Sequence, residues 1–254
     1  MIKLLQLGTT LLLLSLGSAF ASPDDFKLCR DIFVNGIPPT IQHQETLQPR
    51  ALCFNAFAVL HSGKSHTPLY VAERLNSTLL QEAKGNQRTN KFFADARLPR
   101  AERAELGDYQ GSGFDRGHMA PAGDMGTDES MAQSFSLANM VPQYAVNNRK
   151  VWASIEKATR KYVMRAAGDV YVITGPVFDG TPPTIGDNHV WIPQHLFKLV
   201  YDPSSQKIWV NWVDNTNEAK VGKPISYEEL VKRTGIEFIN ITPKAASLSN
   251  NPRS

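Results

Sequence analysis

The chain has 254 residues, of which 42% are hydrophobic, and a formal net charge of +3 at pH 7. No Gly/Ser-rich linker, low-complexity tract or repeat divides it, so we expect a single domain with one sizeable core. Its two cysteines exclude a cysteine-rich metal site, and a net charge so close to neutral indicates no particular class of partner.

The first 21 residues have the pattern of a secretory signal peptide. A positive start at Lys3 precedes an apolar, leucine-rich run over residues 4–17, and a small-x-small triplet that signal peptidase can recognise ends at Ala21. A membrane anchor needs about 20 apolar residues, and this run is shorter. We therefore expect cleavage after Ala21 and a single mature domain, residues 22–254, that is secreted or periplasmic and has no membrane attachment.

The segment that follows the signal peptide is expected to be irregular. Residues 22–50 contain Pro38-Pro39 and many polar side chains, which favour turns over regular elements. Because an oxidising compartment favours pairing of the only two cysteines, Cys29 and Cys53 are predicted to form a disulfide. The disulfide would tie this segment to the strand that comes next.

Hydrophobic patterning predicts a mixture of strands and helices. Runs rich in β-branched and aromatic residues predict strands at residues 53–60, 68–75, 137–143, 170–178, 196–201 and 208–213. The first two are expected to form a hairpin at the edge of the core, and the strand at 170–178 is expected to be central and to end at Gly175-Pro176. Helical composition predicts helices at residues 100–106, 128–136, 149–166 and 225–233, the second and fourth with N-caps at Asp128 and Ser226.

The helix predicted at residues 149–166 has a buried face and a basic surface. Its apolar positions recur at a spacing of three and four residues, at Trp152, Ile155, Thr159, Tyr162 and Val163. Residues 148–165 carry six basic residues and one acidic residue, a local net charge of +5. Such a surface is either a solvated helix face or a binding surface for nucleic-acid phosphates, and the helix alone does not separate these two interpretations.

The densest group of chemically active side chains lies between Gly113 and Pro121. Asp115, Arg116 and His118 fall within four residues, in a glycine-rich stretch where the backbone can approach a ligand closely. An imidazole can accept a proton near neutral pH, and a guanidinium can bind a phosphate through two hydrogen bonds. An isolated Asp–Arg pair is usually only a surface salt bridge. The density of these residues nevertheless favours base-assisted attack on an anionic substrate.

Three ordered blocks resemble the DNA/RNA non-specific endonucleases, the ββα-metal family that includes mitochondrial endonuclease G. The blocks are Asp115-Arg116-Gly117-His118 with Ala120-Pro121, then Asn139-Met140-Val141-Pro142-Gln143, then Asn148 with Trp152-Ala153-Ser154-Ile155-Glu156. The resemblance covers roughly residues 54–213. It implies an α+β fold, with a central antiparallel β-sheet flanked by helices and a ββα-metal finger at the active site. It also implies hydrolysis of DNA and RNA without sequence specificity, giving 5′-phosphate and 3′-hydroxyl ends.

The same resemblance implies a catalytic base and a metal site. His118 matches the general base that activates water, and Asn148 matches the direct ligand of one divalent ion, Mg²⁺ or Mn²⁺. Asp115 and Glu156 match positions that hold metal-bound water or orient neighbouring side chains. On a straight helix Asn148 and Glu156 would lie about 12 Å apart along the axis, so we do not expect both to bind the ion directly.

The resemblance also implies contacts with the substrate. Arg116 matches a phosphate or transition-state contact, and Arg88 matches a second arginine upstream, with Arg74 and Arg97 as alternatives to Arg88. Three further residues are expected to bind the substrate, namely Arg149, Lys150 and Asn139.

The chemistry of phosphodiester hydrolysis requires these residue types independently of any family. The substrate's own charge repels nucleophiles, so hydrolysis needs a base for water and positive charge at the phosphoryl and leaving oxygens. Two other functions fit the same residues: a non-cleaving nucleic-acid-binding protein for DNA uptake or retention, and a metal phosphodiesterase acting on small or lipid phosphates. Because His118, Asn148 and Arg116 are all present, we favour an endonuclease that acts on DNA and RNA as a monomer or homodimer.

Overall fold

The computed structural model of the protein describes residues 26–41 and 44–239. The signal peptide predicted for residues 1–21 and its cleavage site lie outside the described residues. Within the described ranges, no helix is both long enough and apolar enough to cross a membrane.

Twelve strands are present in the described part of the chain, and six of them form the central sheet. In chain order the strands are β1 (Thr40–Ile41), β2 (Pro49–Cys53), β3 (Phe57–Ser62), β4 (Thr67–Leu75), β5 (Asp115–His118), β6 (Met140–Gln143), β7 (Val170–Val177), β8 (Thr184–Ile185), β9 (Val190–Trp191), β10 (His195–Asp202), β11 (Lys207–Asp214) and β12 (Ile236–Glu237). The sheet has the strand order β11-β10-β7-β4-β3-β2, and all its neighbours are antiparallel. The other strands form three antiparallel pairs, β1–β12, β5–β6 and β8–β9.

Helices connect and cover these strands. The α-helices are α1 (Ser77–Glu82), α2 (Leu106–Tyr109), α3 (Asp128–Ser134), α4 (Ala153–Val163) and α5 (Tyr227–Thr234), and a π-helical turn, Asn147–Trp152, leads directly into α4. Short 3₁₀ turns lie at Arg30–Ile32, Val34–Gly36, Gln44–Leu47, Ala83–Gly85, Arg100–Glu102, Ala122–Asp124 and Leu137–Asn139. The α+β fold with a ββα unit, formed by β5, β6 and α4, is the architecture that the sequence predicted.

The central sheet is covered on both faces. Side chains alternate between the two faces of a strand, so Phe57 and Val59 pack into one apolar cluster while Ala58 and Leu60 pack into another. The first cluster also contains Met119, Phe135, Trp152 and Ile155, which come from the ββα unit and α3. The second contains Phe26, Phe33, Leu230 and Phe238, which come from the N-terminal segment, α5 and the residues after β12. The ββα unit therefore lies on one face of the sheet only.

Three points of the strand predictions need correction. Cys53 ends β2 rather than beginning the next strand, and the hairpin of β3 and β4 lies inside the sheet because β4 also pairs with β7. The strand β7 does not end at Gly175-Pro176 but continues to Val177. Its pairing with β4 stops at Thr174, so beyond that point β7 has only β10 as a neighbour. Proline is tolerated where one side of a strand needs no backbone N–H donor.

Most helix predictions gave the right kind of element, but several gave the wrong first or last residue. The helix at residues 225–233 is confirmed with Ser226 as its N-cap, whereas the N-cap of α3 is Thr127, whose hydroxyl accepts from the backbone N–H of Ser130, and not Asp128. The segment 100–106 forms a 3₁₀ turn and only the start of α2, and 137–139 form a turn before β6. The helix predicted at 149–166 begins earlier, with the π-helical turn at Asn147, and ends earlier, at Val163. Its buried face is confirmed at Trp152, Ile155, Thr159 and Val163, whereas Tyr162 is only partly buried.

The disulfide predicted between Cys29 and Cys53 is present, with a Cα–Cα distance of 5.7 Å. Cys29 lies next to the first 3₁₀ turn, and Cys53 is the last residue of the edge strand β2. The bond therefore attaches the N-terminal segment to the central sheet, on the face opposite the ββα unit.

Candidate active site

The hairpin of β5 and β6 fixes the backbone around His118. Gly117 pairs with Val141 and His118 pairs with Met140. A Cβ atom at position 117 would collide with the side chain of Gln143, so only glycine fits there. The Gln143 amide in turn donates to Asn147 Oδ1 over 2.7 Å, which links the hairpin to the π-helical turn.

Asn139 braces the end of this hairpin and does not reach the cavity. It is fully buried, its Oδ1 accepts from the backbone N–H of Ala120 at 2.9 Å, and its Nδ2 donates to the carbonyls of Ala120 and Ser134, each at 2.9 Å. A buried amide with both of its polar atoms engaged by the backbone has no atom left for a substrate. The substrate-binding role predicted for Asn139 is therefore corrected to a structural one.

His118 is buried in an aromatic surrounding that keeps it neutral. Its ring centroid lies 5.0 Å from that of Phe135 and 5.8 Å from that of Phe92. The Nε2 atom is buried and has no hydrogen-bond partner among the described residues. Burial, with a smaller contribution from the nearby charge of Arg88, lowers the pKa of His118 to about 3. The imidazole is therefore neutral at physiological pH and can accept a proton.

Asp115 orients the amide of Asn148. Its Oδ2 accepts from Asn148 Nδ2 at 2.9 Å, and the two carboxylate oxygens accept from Arg149 at 2.8 and 2.6 Å. Burial opposes ionisation of Asp115, but the hydrogen bonds from Arg149 and Asn148 hold its pKa below the ordinary value. With Nδ2 bound to Asp115, the Oδ1 atom of Asn148 has no partner among the described residues and is available to a ligand.

One cavity of about 430 Å³ brings the main candidates together. It is lined by six polar side chains, Arg88, His118, Asn148, Arg149, Glu156 and Arg160, with small residues of the 121–123 turn between them. Asn148 and Glu156 both line this cavity, and Asn148 lies in the π-helical turn and not on a straight α-helix. A π turn contains an extra residue, which changes the direction of the side chains that precede α4.

The three arginines considered for the upstream position lie in different places. Arg88 lines the cavity. Arg97 pairs with Asp95 at 2.7 Å, and Arg74 pairs with Asp31 at 3.0 Å. Of the three, Arg88 is the one that the structure brings beside His118.

Arg116 and Lys150 do not line the cavity. The guanidinium of Arg116 lies over the ring of Phe92, 4.3 Å from its centroid, and does not line the cavity. Because Phe92 also contacts His118, Arg116 lies beside the base on the same face of β5. Lys150 is exposed on the π-helical turn, outside the cavity lining.

Sequence reasoning missed the ion pair at the back of the cavity. Arg160, which lines the cavity, donates to the buried carboxylate of Asp124 at 2.7 Å. Burial raises the pKa of Glu156 to about 7, and the positive charges of Lys198 and Arg160 counteract this shift. Arg160 was counted only as one of the basic residues of the helix, although it follows Glu156 by four residues and therefore lies on the same face.

Two buried charged side chains of the central sheet lie near this ion pair. Lys198, on β10, is 1% exposed and donates to Thr174 Oγ1 at 2.7 Å. Glu73, on β4, is 1% exposed, and neither of its oxygens has a hydrogen-bond partner among the described residues. Burial raises the pKa of Glu73, the neighbouring Asp124 raises it further, and Lys198 opposes both. In β10, Lys198 is flanked on both sides by apolar residues, and this is a sequence signal that could have identified it; Glu73 stands next to Arg74 in β4 and carries no such signal.

A model of the DNA/RNA non-specific endonucleases matches residues 39–245 of this chain. The chain belongs to the DNA/RNA non-specific endonuclease family. The mitochondrial Nuclease 1 of Schizosaccharomyces pombe is 30% identical to it, over 91% of this chain and 76% of the relative. Human mitochondrial endonuclease G is 32% identical, over 76% of this chain and 71% of the relative.

A solved structure supports the fold of this family member. A chain in the crystal structure of the EndoG/EndoGI complex matches with a TM-score of 0.69 and 24% identity, over 74% of this chain and 84% of that chain. The family match and the named relatives together show that the protein is an enzyme that hydrolyses nucleic acids, a non-specific nuclease of DNA and RNA. The alternative of a binding protein that does not cleave is therefore set aside.

The buried histidines predict how the stability of this nuclease depends on pH. Burial lowers the pKa of His61 to about 4 and that of His118 to about 3, whereas both are near 6.5 in an unfolded chain. At each of these two histidines the unfolded state therefore binds more protons than the folded state below about pH 6.5, so their contribution to the free energy of unfolding falls as the pH is lowered towards 4, whereas the raised pKa of Glu156 has the opposite effect. One such histidine can contribute at most roughly 1.4 kcal/mol per pH unit.

The variant His61→Gln isolates one of these contributions. Glutamine can keep a hydrogen bond to the carbonyl of Glu102, which His61 Nε2 contacts at 2.8 Å, but it does not titrate. Denaturant unfolding of both proteins between pH 7 and pH 4.5 should show that the wild type loses more stability than the variant as the pH falls. Parallel curves would mean that His61 is not held neutral by the fold.

Proposed function

We propose that this nuclease is a metal-dependent endonuclease in which His118 is the general base. The observation that supports the assignment is the shared cavity, in which a buried neutral imidazole, the amide of Asn148, the carboxylate of Glu156 and the guanidinium of Arg88 face the same space. In the proposed reaction His118 takes a proton from the attacking water. The imidazole is unprotonated at neutral pH, and the negative charge of a bound phosphate would raise its pKa towards the neutral range in which a general base works best.

The arginines of the cavity hold the substrate. Arg88 supplies positive charge for the non-bridging oxygens of the scissile phosphate, and its guanidinium geometry suits two hydrogen bonds to one phosphate. Arg149 adds its remaining N–H groups, because its Nε and Nη2 atoms donate to Asp115. Asp115 holds both Asn148 and Arg149 through hydrogen bonds, so it acts as a positioning residue. Contacts of this kind read the backbone and not the bases, which agrees with cleavage that lacks sequence specificity.

Asn148 and Glu156 are the residues that would hold a divalent cation. The free Oδ1 of Asn148 and the carboxylate of Glu156 are oxygen donors of the type that Mg²⁺ and Mn²⁺ prefer. Among the described residues no group of three or more His, Cys, Asp and Glu side chains is arranged to hold a metal ion, so the donors suit an ion that keeps several of its waters. When bound, the cation would stabilise negative charge on the phosphoryl and leaving oxygens.

Digestion of plasmid DNA and of single-stranded RNA tests this proposal. With millimolar Mg²⁺ or Mn²⁺ we expect nicking and then fragmentation of both substrates, with 5′-phosphate and 3′-hydroxyl ends. We expect the reaction to stop on addition of EDTA and to resume on addition of excess Mg²⁺. Cleavage that is indifferent to EDTA would exclude the metal. Turnover of small chromogenic diesters without any cleavage of nucleic acid would favour a phosphodiesterase.

We infer that the protein is secreted or periplasmic. The leucine-rich start of the sequence and the Cys29–Cys53 disulfide support this, because disulfides persist in oxidising compartments. The full chain is expressed with and without an inhibitor of signal peptidase. Without the inhibitor we expect a processed product outside the cytoplasm, and with the inhibitor we expect none. The intact mass of the processed product should correspond to loss of residues 1–21. A full-length chain retained in the cytoplasm would contradict export.

A further inference from the structure

A second concave surface continues from the cavity between α1 and α4. It encloses about 550 Å³, and it shares Gly123 and Arg160 with the lining of the cavity. We call it the α1–α4 groove. Its apolar lining comes from Leu80 on α1 and from Met164 just after α4. The groove therefore begins at the place where the proposed reaction occurs.

Five cations line the α1–α4 groove, and its lining contains no acidic residue. One of them, Arg160, pairs with Asp124, and four remain. They are Lys84, Lys157, Lys161 and Arg165. All four are exposed, and none forms a salt bridge with a carboxylate of the described residues. Positive charge that is concentrated in a concavity and has no carboxylate partner among the described residues attracts anions from solution.

The arrangement of these cations is more than the ordinary charge of a helix end. Basic residues near the C-terminus of a helix interact favourably with its dipole, which would account for Lys161 and Arg165 on their own. Lys84, however, belongs to a different element, the 3₁₀ turn after α1, and it faces the same groove. Lys157 and Lys161 lie four residues apart on α4, about 6 Å along the helix axis, and Arg165 follows four residues later in the turn after α4.

We propose that the α1–α4 groove binds the sugar-phosphate backbone of the substrate strand on one side of the scissile phosphate. This proposal rests on the function proposed above. A row of cations at regular intervals suits successive phosphates of one strand, and the surfaces of Leu80 and Met164 suit the apolar faces of its sugars or bases. The groove would make the enzyme prefer a polymer to a short substrate.

The variant Lys157→Gln/Lys161→Gln tests this proposal against a matched control, Lys64→Gln/Lys232→Gln. The control removes the same charge from two exposed lysines outside the groove. Affinity for a fluorescent 30-nucleotide single strand is measured by anisotropy in EDTA at several salt concentrations. Loss of two phosphate contacts should make the slope of log K against log salt less steep by about 1.4 in the groove variant only. Turnover of a chromogenic diester, which is too short to enter the groove, should stay within about twofold of the wild type.

Each outcome of this experiment has a defined meaning. Equal slopes in the groove variant and the control would overturn the groove assignment, even if the wild type cleaves DNA normally. A variant that keeps its affinity for the oligonucleotide but loses binding to phosphatidylserine vesicles would also overturn it. Failure of the wild type to cleave both plasmid DNA and single-stranded RNA would instead overturn the proposed function. In that case the salt dependence of oligonucleotide binding would still test the groove assignment.

Discussion

Replacing His118 with alanine is expected to lower kcat on plasmid DNA by at least about a hundredfold, while DNA binding in EDTA is retained. The variant loses the only neutral imidazole that lines the cavity, but it keeps the arginines that attract the phosphates. His118 is packed between Phe92 and Phe135, so the substitution also leaves a space of about the size of an imidazole. Added imidazole should therefore restore part of the activity.

The control for this prediction is His189→Ala. His189 is exposed and lies outside the cavity, so its replacement should leave kcat within about twofold of the wild type. Circular dichroism and thermal unfolding must show that His118→Ala is folded. A folded His118→Ala protein with near-normal turnover would remove the general-base assignment.

Replacing Asn148 with alanine is expected to raise the Mg²⁺ concentration needed for half-maximal activity by about a hundredfold or more. Residues that only support a metal ligand typically change affinity by about 10- to 100-fold, and a direct ligand should lie at or beyond the upper end of that range. Isothermal titration with Mn²⁺ measures the same loss without relying on turnover. An unchanged metal dependence would place the ligand elsewhere.

Asn148→Asp provides the comparison for this second prediction. Aspartate keeps an oxygen donor, but it removes the N–H group that donates to Asp115 at 2.9 Å and brings two carboxylates together. We expect its metal affinity to lie between those of the wild type and Asn148→Ala at neutral pH. A ranking in which Asn148→Asp is weaker than Asn148→Ala would indicate that the orientation of the side chain matters more than its oxygen.

The elements set by local chemistry could be predicted from the sequence. The hairpin of β10 and β11 follows from two β-branched and aromatic runs around Asp202-Pro203, and α5 follows from its serine cap. The disulfide followed from there being only two cysteines. The grouping of Asp115 and His118 is also local, because four residues of one strand carry both.

Features that depend on distant packing could not be predicted. The central position of β4 depends on pairing with β7, almost a hundred residues further along the chain. The buried role of Asn139 depends on the backbone of Ala120, and a motif does not distinguish a side chain that faces the substrate from one that supports the loop. The π-helical turn before α4 could not be read from the sequence, where the segment was treated as a straight helix.

A kinetic double-mutant cycle with His118→Ala and Asn148→Ala tests the central claim most directly. Catalytic groups that act on the same transition state show strongly non-additive effects. If both side chains serve the same phosphodiester, the double variant at saturating Mg²⁺ should be about as slow as the slower single variant. Losses that multiply in the double variant would show that the two residues act independently, and would contradict a single active site formed by both.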